Sequence, residues 1–212
     1  MRISADELRL YAVTDRSWLG GETIFDQVEK AVRGGASCVQ LREKELGHED
    51  FLAEAKEMAK LCRRLGVKLI INDNVDVALE SGADGVHVGQ DDMQAMDVRR
   101  RIGPDRILGV TAKTVEQARA AEAAGADYLG SGAVFGSATK TDAKPMTMDT
   151  LRSICASVGI PVVGIGGVNR ENIARLAGTG VAGAAVVSGI FAARDIEAEC
   201  RLLRGMVEEI IR

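Results

Sequence analysis

The sequence has no excess of basic residues and no long apolar run. It contains 27 lysines and arginines against 31 aspartates and glutamates, which gives a formal net charge of -4. A nucleic-acid-binding domain normally has a basic face and a high pI, so this charge balance argues against a nucleic-acid partner. No apolar run approaches the ~18 residues that a membrane span needs, and the early acidic residues Asp6 and Glu7 argue against a signal peptide. We therefore expect a cytoplasmic protein without a membrane partner.

The sequence also lacks the common motifs of metal and nucleophile chemistry. Its 4 cysteines form no CxxC pair and have no histidine at zinc-finger spacing. Free cysteine is commonly a small buried apolar residue, so we expect reduced, structural thiols. No GxSxG, HExxH or GxxxxGK[ST] motif is present, which leaves the ends of the secondary-structure elements as the place to look for chemistry.

Apolar runs of strand length alternate with stretches of helical period along the whole chain, at about one strand and one helix per 25 residues. The predicted strands are Leu10–Val13, Cys38–Leu41, Lys68–Ile71, Gly85–Val88, Ile107–Val110, Tyr128–Gly130, Pro161–Gly164 and Ala184–Val187. The predicted helices are Thr23–Arg33, Glu49–Leu65, Val75–Ser81, Met93–Arg101, Val115–Ala124, Asp149–Ala156, Arg170–Ala177 and Asp195–Arg212.

This alternation predicts βαβ units and a parallel sheet, and eight units in 212 residues suit a closed α/β barrel of the (β/α)8 or TIM type. We expect a single domain that spans residues 1–212, with a doubly wound open sheet as the alternative fold. In such barrels the working site lies at the carboxyl ends of the strands and in the loops that follow them. The search for functional residues therefore narrows to eight short stretches.

Polar residues follow the second predicted strand. Because side chains alternate along a strand, Gln40 and Arg42 share one face while Val39 and Leu41 share the other. Gln40 and Arg42 would point into the barrel mouth, and Lys44 joins them if the strand extends. An amide, a guanidinium and an ammonium suit a substrate with a ring edge and phosphates. The alternative is a solvated cluster of charges in a loop.

Carboxylates follow the next two predicted strands, at Asp73 and Asp92. Magnesium is usually held by one or two carboxylates, with waters and substrate phosphates as its other ligands. Since the two strands are neighbours, these residues predict one magnesium site beside the cationic second strand. Each segment also directly precedes a predicted helix, so helix capping is the alternative role.

Glycines and hydroxyls follow the later strands. Residues 132–145, after the sixth strand, form the longest irregular stretch and contain Lys140, and loops of this length are usually functional or disordered. Gly167 follows the seventh strand and Ser188 the eighth, where barrels frequently bind phosphate through backbone N–H groups. We expect a second phosphate site there, with a plain tight turn as the alternative.

Two residues in the middle of the chain have less specific signals. Thr111, at the end of the fifth strand, suits either a hydrogen bond to substrate or a helix cap. His87 lies within the fourth strand and is expected to be packed in the interior rather than to act as a pH-sensitive group.

Read together, these motifs resemble the thiamine-phosphate synthase family along nearly the whole chain. The motifs that carry the resemblance are Tyr11-Ala12-Val13-Thr14-Asp15, Gln40-Leu41-Arg42-Glu43-Lys44, Ile71-Asn72-Asp73, His87-Val88-Gly89-Gln90-Asp91-Asp92, Ser137-Ala138-Thr139-Lys140, Gly164-Ile165-Gly166-Gly167 and Val187-Ser188. The family is a group of transferases that join 4-amino-2-methyl-5-hydroxymethylpyrimidine diphosphate to 4-methyl-5-(2-phosphoethyl)thiazole, releasing pyrophosphate and thiamine phosphate.

The resemblance implies a role for each matching position. The pyrimidine diphosphate would be held by Gln40, Leu41, Arg42, Glu43, Lys44, Asn72, Thr111 and Lys140. The thiazole phosphate would be held by Ser137, Ala138, Thr139, Gly167, Val187 and Ser188. One Mg²⁺ per active site would be bound by Asp73 and Asp92, and the departing diphosphate would be stabilised by Arg42, Lys44 and Lys140. The implied partners are small molecules, and a homo-oligomer is compatible with the sequence.

The chain departs from the family pattern in two mild ways: Thr111 stands where serine is common, and Ser137-Ala138-Thr139 stands where Thr-x-Thr is common. A related barrel, the thiazole tautomerase, is an alternative that uses a histidine in the strand-five loop, where this chain has Lys113. A non-catalytic barrel that only binds phosphorylated ligands is a second alternative. Because Asp73 and Asp92 are both present, the sequence favours the synthase.

Overall fold

The fold is a closed barrel of eight parallel strands in sequence order, in which β1 pairs with both β2 and β8. The computed structural model describes residues 3–136 and 146–211. The strands are β1 (Leu10–Val13), β2 (Cys38–Leu41), β3 (Lys68–Asn72), β4 (Gly85–Val88), β5 (Ile107–Thr111), β6 (Tyr128–Gly132), β7 (Val162–Ile165) and β8 (Gly183–Val186). The predicted TIM barrel is therefore confirmed, and the open sheet is excluded.

Helices surround the barrel between successive strands. The described helices are α1 (Ile24–Arg33), α2 (His48–Leu65), α3 (Val75–Ser81), α4 (Ala95–Ile102), α5 (Val115–Ala123), α6 (Met148–Ser157), α7 (Ser188–Phe191) and α8 (Ile196–Ile210). Short 3-10 helices lie at Asp6–Leu8, Arg16–Trp18 and Ile173–Leu176. In the described part of the chain, no helix combines the length and the apolarity that a membrane crossing requires.

Side-chain alternation divides the strand residues into two cores, as expected for a barrel. Val39 and Leu41 of β2 belong to the outer core between the sheet and the helices. The interior of the barrel is filled by a second cluster that includes Tyr11, Cys38, Ile70, Ile107, Tyr128 and Val163. The two large tyrosines are fully buried there, so the centre of the barrel is a packed core, which leaves the strand ends and the βα loops as the place to look for a ligand site.

One predicted helix is wrong. The segment predicted as Arg170–Ala177 forms only the short 3-10 helix Ile173–Leu176. The side chain of Asn172 accepts a hydrogen bond from the Asn169 backbone N–H (3.0 Å), and the side chain of Asn169 accepts one from the Glu171 N–H (2.9 Å). Such local bonds offer the backbone an alternative to helical bonding, which explains why the helix is shortened.

Candidate active site

The loop after β2 is attached to the loop after β1 by three neighbouring residues. Thr14 Oγ1 accepts a hydrogen bond from the Arg42 backbone N–H (3.0 Å), and Asp15 pairs with the Arg42 guanidinium at 3.3 Å. Arg16 Nε donates to Glu43 Oε2 at 2.7 Å. Because Thr14 is fully buried and Asp15 nearly so, the loop that carries the two cations predicted to bind diphosphate is fixed from below.

The second of these cations meets a carboxylate from β3. Lys44 Nζ donates to Asp73 Oδ2 at 2.8 Å, and Asn72 Nδ2 donates to the same oxygen at 2.6 Å. Asp73 has a φ of 61°, a left-handed conformation that aspartate and asparagine tolerate better than most residues. The predicted strand ends after β2 and β3 are thus brought together, as the barrel requires.

Asp92 completes a pair of carboxyl groups with Asp73. Asp92 Oδ2 accepts a hydrogen bond from the Gly89 N–H (2.7 Å), and the Asp73 carboxyl group lies close enough to act on the pKa of Asp92. Burial, followed by the neighbouring Asp73, raises the pKa of Asp92. Burial acts to raise the pKa of Asp73 too, but hydrogen bonds from Lys44 and Asp92 keep it below its ordinary value. Two carboxyl groups this close repel each other when both are ionised, and a cation would relieve that repulsion.

Helix capping does not account for these residues. The helix α3 is capped by Asn74, whose side chain accepts from the Val77 N–H, and α4 begins after Gln94. The helix α5 is capped by Thr114 rather than by Thr111. Asp73, Asp92 and Thr111 are therefore free of the capping role that was the alternative for each of them.

A cavity of about 370 Å³ lies beside the carboxylate pair. Its wall combines polar strand-end residues with apolar side chains from α2 and from the loop before α4. The residues that line it include Lys44, Leu46, Phe51, Asn72, Asp73 and Met93. This volume lies in the range of small-molecule sites, and its polar side carries the predicted magnesium ligand Asp73.

A chain of hydrogen bonds crosses the barrel interior below the mouth. Gln40 Nε2 donates to the Tyr11 hydroxyl at 2.8 Å, and the Tyr11 and Tyr128 hydroxyls are 2.8 Å apart. His87 Nδ1 lies 3.0 Å from the Tyr128 hydroxyl, and His87 Nε2 lies 3.0 Å from Thr111 Oγ1. The hydrogen-bond chain therefore joins Gln40 on β2 to Thr111 on β5, two of the residues predicted to hold the pyrimidine diphosphate, through three buried rings.

The polarity of this chain follows from its first donor. The Gln40 amide nitrogen can only donate, so each buried hydroxyl proton finds an acceptor when Tyr11 donates to Tyr128 and Tyr128 donates to His87 Nδ1. His87 then donates from Nε2 to Thr111, an order that requires a neutral imidazole. Burial lowers the pKa of His87 to about 4, which keeps the ring neutral. His87 is thus a packed interior residue, as predicted, and the Thr111 hydroxyl proton is left for a ligand.

The opposite side of the rim is built from backbone. Gly167 has a φ of 67°, and a Cβ on it would lie 2.8 Å from the carbonyl oxygens of Phe135 and Gly136. Gly166 is equally crowded, because a Cβ there would lie 2.6 Å from Ala133. Only glycine fits such close approaches at a positive φ. The turn continues into Val168, whose carbonyl oxygen would lie 2.5 Å from a Cβ on Gly189 in α7, so it adjoins the helix that begins at Ser188, where the second phosphate site is predicted.

Not every residue of the predicted set presents its side chain to the mouth. Leu41 is fully buried in the outer core, and the Glu43 side chain is 2% exposed and directed at Arg16. A ligand could therefore contact these two positions only through the backbone, and their predicted roles stay predictions. Ser137, Ala138, Thr139 and Lys140 lie outside the described residues, so their predicted roles stay predictions.

Several residues that build the site were missed by sequence reasoning. Arg16 and Glu54 gave no signal because one lies in a polar turn and the other on an amphipathic helix. Tyr11 and Tyr128 stand in apolar strands and read as ordinary core residues. One signal for them was present in the sequence: Gln40 and His87 are polar residues on strand faces that point into the barrel interior, and buried polar side chains need hydrogen-bond partners.

The fold and the site together define a (β/α)8 barrel whose strand ends present paired cationic and acidic side chains on one part of the rim. A family profile described as thiamine monophosphate synthase matches residues 10–190. The chain belongs to this family.

Individual relatives agree with the family assignment. The chain is 49% identical to the thiamine-phosphate synthase of Ruminiclostridium cellulolyticum over 194 residues, 92% of each chain. It is 43% identical to the thiamine-phosphate synthase of Clostridium acetobutylicum over 203 residues, 96% of each chain. It superposes on the structure of thiamine phosphate pyrophosphorylase from Pyrococcus furiosus with a TM-score of 0.90 and 38% identity, covering 98% of this chain and 99% of that one. The predicted family and its transferase activity, that of a thiamine-phosphate synthase, are confirmed.

Proposed function

We propose that this chain joins the pyrimidine diphosphate and the thiazole phosphate named above into thiamine phosphate and pyrophosphate, using one magnesium ion. The observation that carries the proposal is the convergence of Arg42, Lys44, Asn72 and Asp73 on one part of the rim, bonded to one another or to fixed neighbours. A diphosphate needs cations that are already in place, because positioning and electrostatic stabilisation supply most of the catalysis when a charged group departs.

The carboxylate pair suits magnesium. Asp73 and Asp92 are hard oxygen donors that lie close enough to hydrogen-bond to each other, and magnesium is commonly held by one or two carboxylates together with substrate phosphates. In the described part of the chain, no cluster of three or more acidic, cysteine or histidine side chains forms a complete metal cage, so the substrate would supply the remaining ligands. When bound, the metal would neutralise negative charge on the departing diphosphate.

The protein's own residues have separate parts in this reaction. Arg42, Lys44 and Lys140 would stabilise the diphosphate as its bond to the pyrimidine methylene breaks, and the electron-rich aminopyrimidine would carry the resulting positive charge. Gln40 and the Thr111 hydroxyl would orient the pyrimidine ring. The thiazole nitrogen then attacks the methylene carbon, so the reaction needs neither a protein nucleophile nor a general base.

The thiazole phosphate belongs on the glycine side of the rim. Gly167, Val187 and Ser188 would bind it through backbone groups, together with Ser137, Ala138 and Thr139. Support comes from the crowded backbone at Gly166 and Gly167 and from the position of this turn after β7, next to the end of β8, where barrels frequently bind phosphate.

The test is to incubate the purified chain with both substrates at varied Mg²⁺ concentrations. Thiamine phosphate is followed as fluorescent thiochrome after oxidation, and pyrophosphate is measured in parallel. We expect equimolar, magnesium-dependent formation of both products. The variant Asp91→Asn, in the same loop as Asp92 but exposed, serves as the matched control for Asp92→Asn. Absence of both products, with thiazole phosphate still bound, would contradict the proposal and favour a tautomerase or a binding protein.

A further inference from the structure

Beneath the cationic loop lies a cluster of three buried or half-buried charged side chains, those of Arg16, Glu43 and Glu54, to which the proposed reaction gives no part. Arg16, in the loop after β1, donates from Nε to Glu43 Oε2 at 2.7 Å and from Nη2 to Glu54 Oε2 on α2. The Glu43 side chain is 2% exposed and the Glu54 side chain 12% exposed. One guanidinium thus connects two loops and a helix below the site.

The cluster contains one carboxylate more than its single cation balances. Glu43 Oε1 and Glu54 Oε1 are both buried and have no hydrogen-bond partner among the described residues. The two carboxyl groups nevertheless lie together, because each of them binds the Arg16 guanidinium through its other oxygen and Glu43 acts on Glu54 as a hydrogen-bonding neighbour. Two ionised carboxylates cannot bond to each other, and burying two unpaired acceptors is costly. A single proton between the two Oε1 atoms satisfies both oxygens and makes the cluster neutral.

We propose that Glu43 and Glu54 share one proton and that this pair, clasped by Arg16, positions Arg42 and Lys44 for the diphosphate. The inference rests on the proposed function, because it explains why the loop that carries Arg42 and Lys44, the proposed diphosphate ligands, is held in place. Glu43 stands between the two cations in sequence, so fixing its carboxyl group fixes the loop that carries both. Arg16 and Glu54 are positioning residues, since neither needs to touch the substrate.

The charge state has independent support. Burial, and then the charge of Glu43, raises the pKa of Glu54 to about 7, although Arg16 acts to lower it. A protonated Glu54 can donate from Oε1 while its other oxygen accepts from Arg16. Glutamine reproduces this pattern, because its amide nitrogen donates and its carbonyl oxygen accepts. Alanine reproduces neither half.

The experiment compares Glu54→Gln with Glu54→Ala by calorimetric titration of inorganic pyrophosphate in the presence of Mg²⁺. The control is Glu57→Ala, because Glu57 lies on the same helix but is exposed. We expect Glu54→Ala to weaken pyrophosphate binding about tenfold, the scale for losing one charged hydrogen-bond partner. Glu54→Gln and Glu57→Ala should bind within about twofold of wild type, and the KM for thiazole phosphate should not change in any variant.

Two results would overturn the inference: wild-type pyrophosphate binding by Glu54→Ala, or binding by Glu54→Gln as weak as that of Glu54→Ala. A wild-type chain that bound no pyrophosphate would instead contradict the proposed function. Thermal unfolding tests the shared proton independently of pyrophosphate binding. Glu54→Gln should keep the wild-type Tm within about 2 °C at pH 6, and Glu54→Ala should lower it by more; equal losses would overturn the shared proton.

Discussion

The two halves of the barrel rim differ in the groups that they offer to an anion. From β1 to β4 the rim carries charged side chains that pair with one another, among them Asp15 with Arg42 and Lys44 with Asp73. From β6 to β8 it carries crowded glycine backbone at Gly166 and Gly167. Side-chain charge responds to pH and to metal ions, whereas backbone N–H groups respond to neither but tolerate no added Cβ. If the proposed function holds, one barrel would bind two phosphorylated substrates through two sites, one sensitive to pH and metal ions and the other sensitive to added side-chain atoms.

The largest expected effect is on the charged half, with Asp73→Asn. Asparagine tolerates the left-handed backbone at this position and keeps the hydrogen-bonding shape, so the fold should be preserved while a magnesium ligand is lost. We expect kcat/KM at limiting Mg²⁺ to fall by about 100-fold. Steady-state kinetics over a range of Mg²⁺ concentrations measures this change, with Asp91→Asn as control. Wild-type activity at limiting Mg²⁺ would rule out the ligand role.

The next effect is on the backbone half, with Gly167→Ala. The new methyl group would meet two carbonyl oxygens at 2.8 Å, so we expect thiazole phosphate binding to weaken about tenfold and the free energy of unfolding to fall by about 2 kcal/mol. Gly66→Ala is the matched control, since Gly66 has a similar φ of 74° with open space around it and isolates the conformational cost. Equal effects of Gly167→Ala and Gly66→Ala on stability and binding would show that the close approach of the Phe135 and Gly136 carbonyl oxygens to Gly167 does not matter for either.

A smaller effect is expected below the rim, with Tyr128→Phe. The substitution removes the hydroxyl between Tyr11 and His87 and leaves a buried ring nitrogen without its partner. We expect a loss of about 1–3 kcal/mol in the free energy of unfolding and a rise in KM for the pyrimidine substrate alone. Chemical denaturation measures the first effect. Ser131→Ala is the control, because this buried hydroxyl of the same strand has no hydrogen-bond partner among the described residues. Equal stability of Tyr128→Phe and Ser131→Ala would argue against a stabilising role for the interior chain of hydrogen bonds.

The smallest expected effect is on the pH dependence of the free energy of unfolding, and it concerns the charged half of the rim. The pKa of Glu54 is raised from 4.5 to about 7 in the folded state. Between these values the unfolded chain releases a proton that the folded chain keeps, so this group lowers the free energy of unfolding as the pH rises from about 4.5 to about 7. Glu54→Gln should remove that decline.

Denaturation at several pH values measures the difference between wild type and Glu54→Gln. His87 contributes in the opposite direction, because its pKa is lowered from 6.5 to about 4 and its neutral form stabilises the fold as the pH rises through that window. The difference between the two proteins cancels this common contribution. Parallel curves for wild type and variant would contradict the raised pKa of Glu54.

How far the sequence predicts the structure depends on the kind of residue. The barrel follows from the repeat of strands and helices, and the charged half follows from polar residues at strand ends such as Arg42 and Asp73. The interior chain does not follow, because tyrosine at Tyr11 or Tyr128 has the hydrophobicity of a core residue and its hydroxyl partner lies on another strand. Arg16 and Glu54 were missed for the same reason: their pairing joins elements 38 residues apart in sequence. The predicted helix Arg170–Ala177 is wrong because the side chains of Asn169 and Asn172 accept local backbone hydrogen bonds, which the helical period of the sequence does not reveal.

The most direct test of the two-sided rim is a pair of calorimetric titrations, one with inorganic pyrophosphate and one with 4-methyl-5-(2-phosphoethyl)thiazole, each with and without Mg²⁺. Binding to the charged half should depend on the metal, because two neighbouring carboxylates otherwise repel the anion. Binding to the backbone half should not. We predict that removal of Mg²⁺ abolishes pyrophosphate binding and leaves thiazole phosphate binding within about twofold. Equal dependence of both ligands on Mg²⁺, or of neither, would contradict the division of the rim.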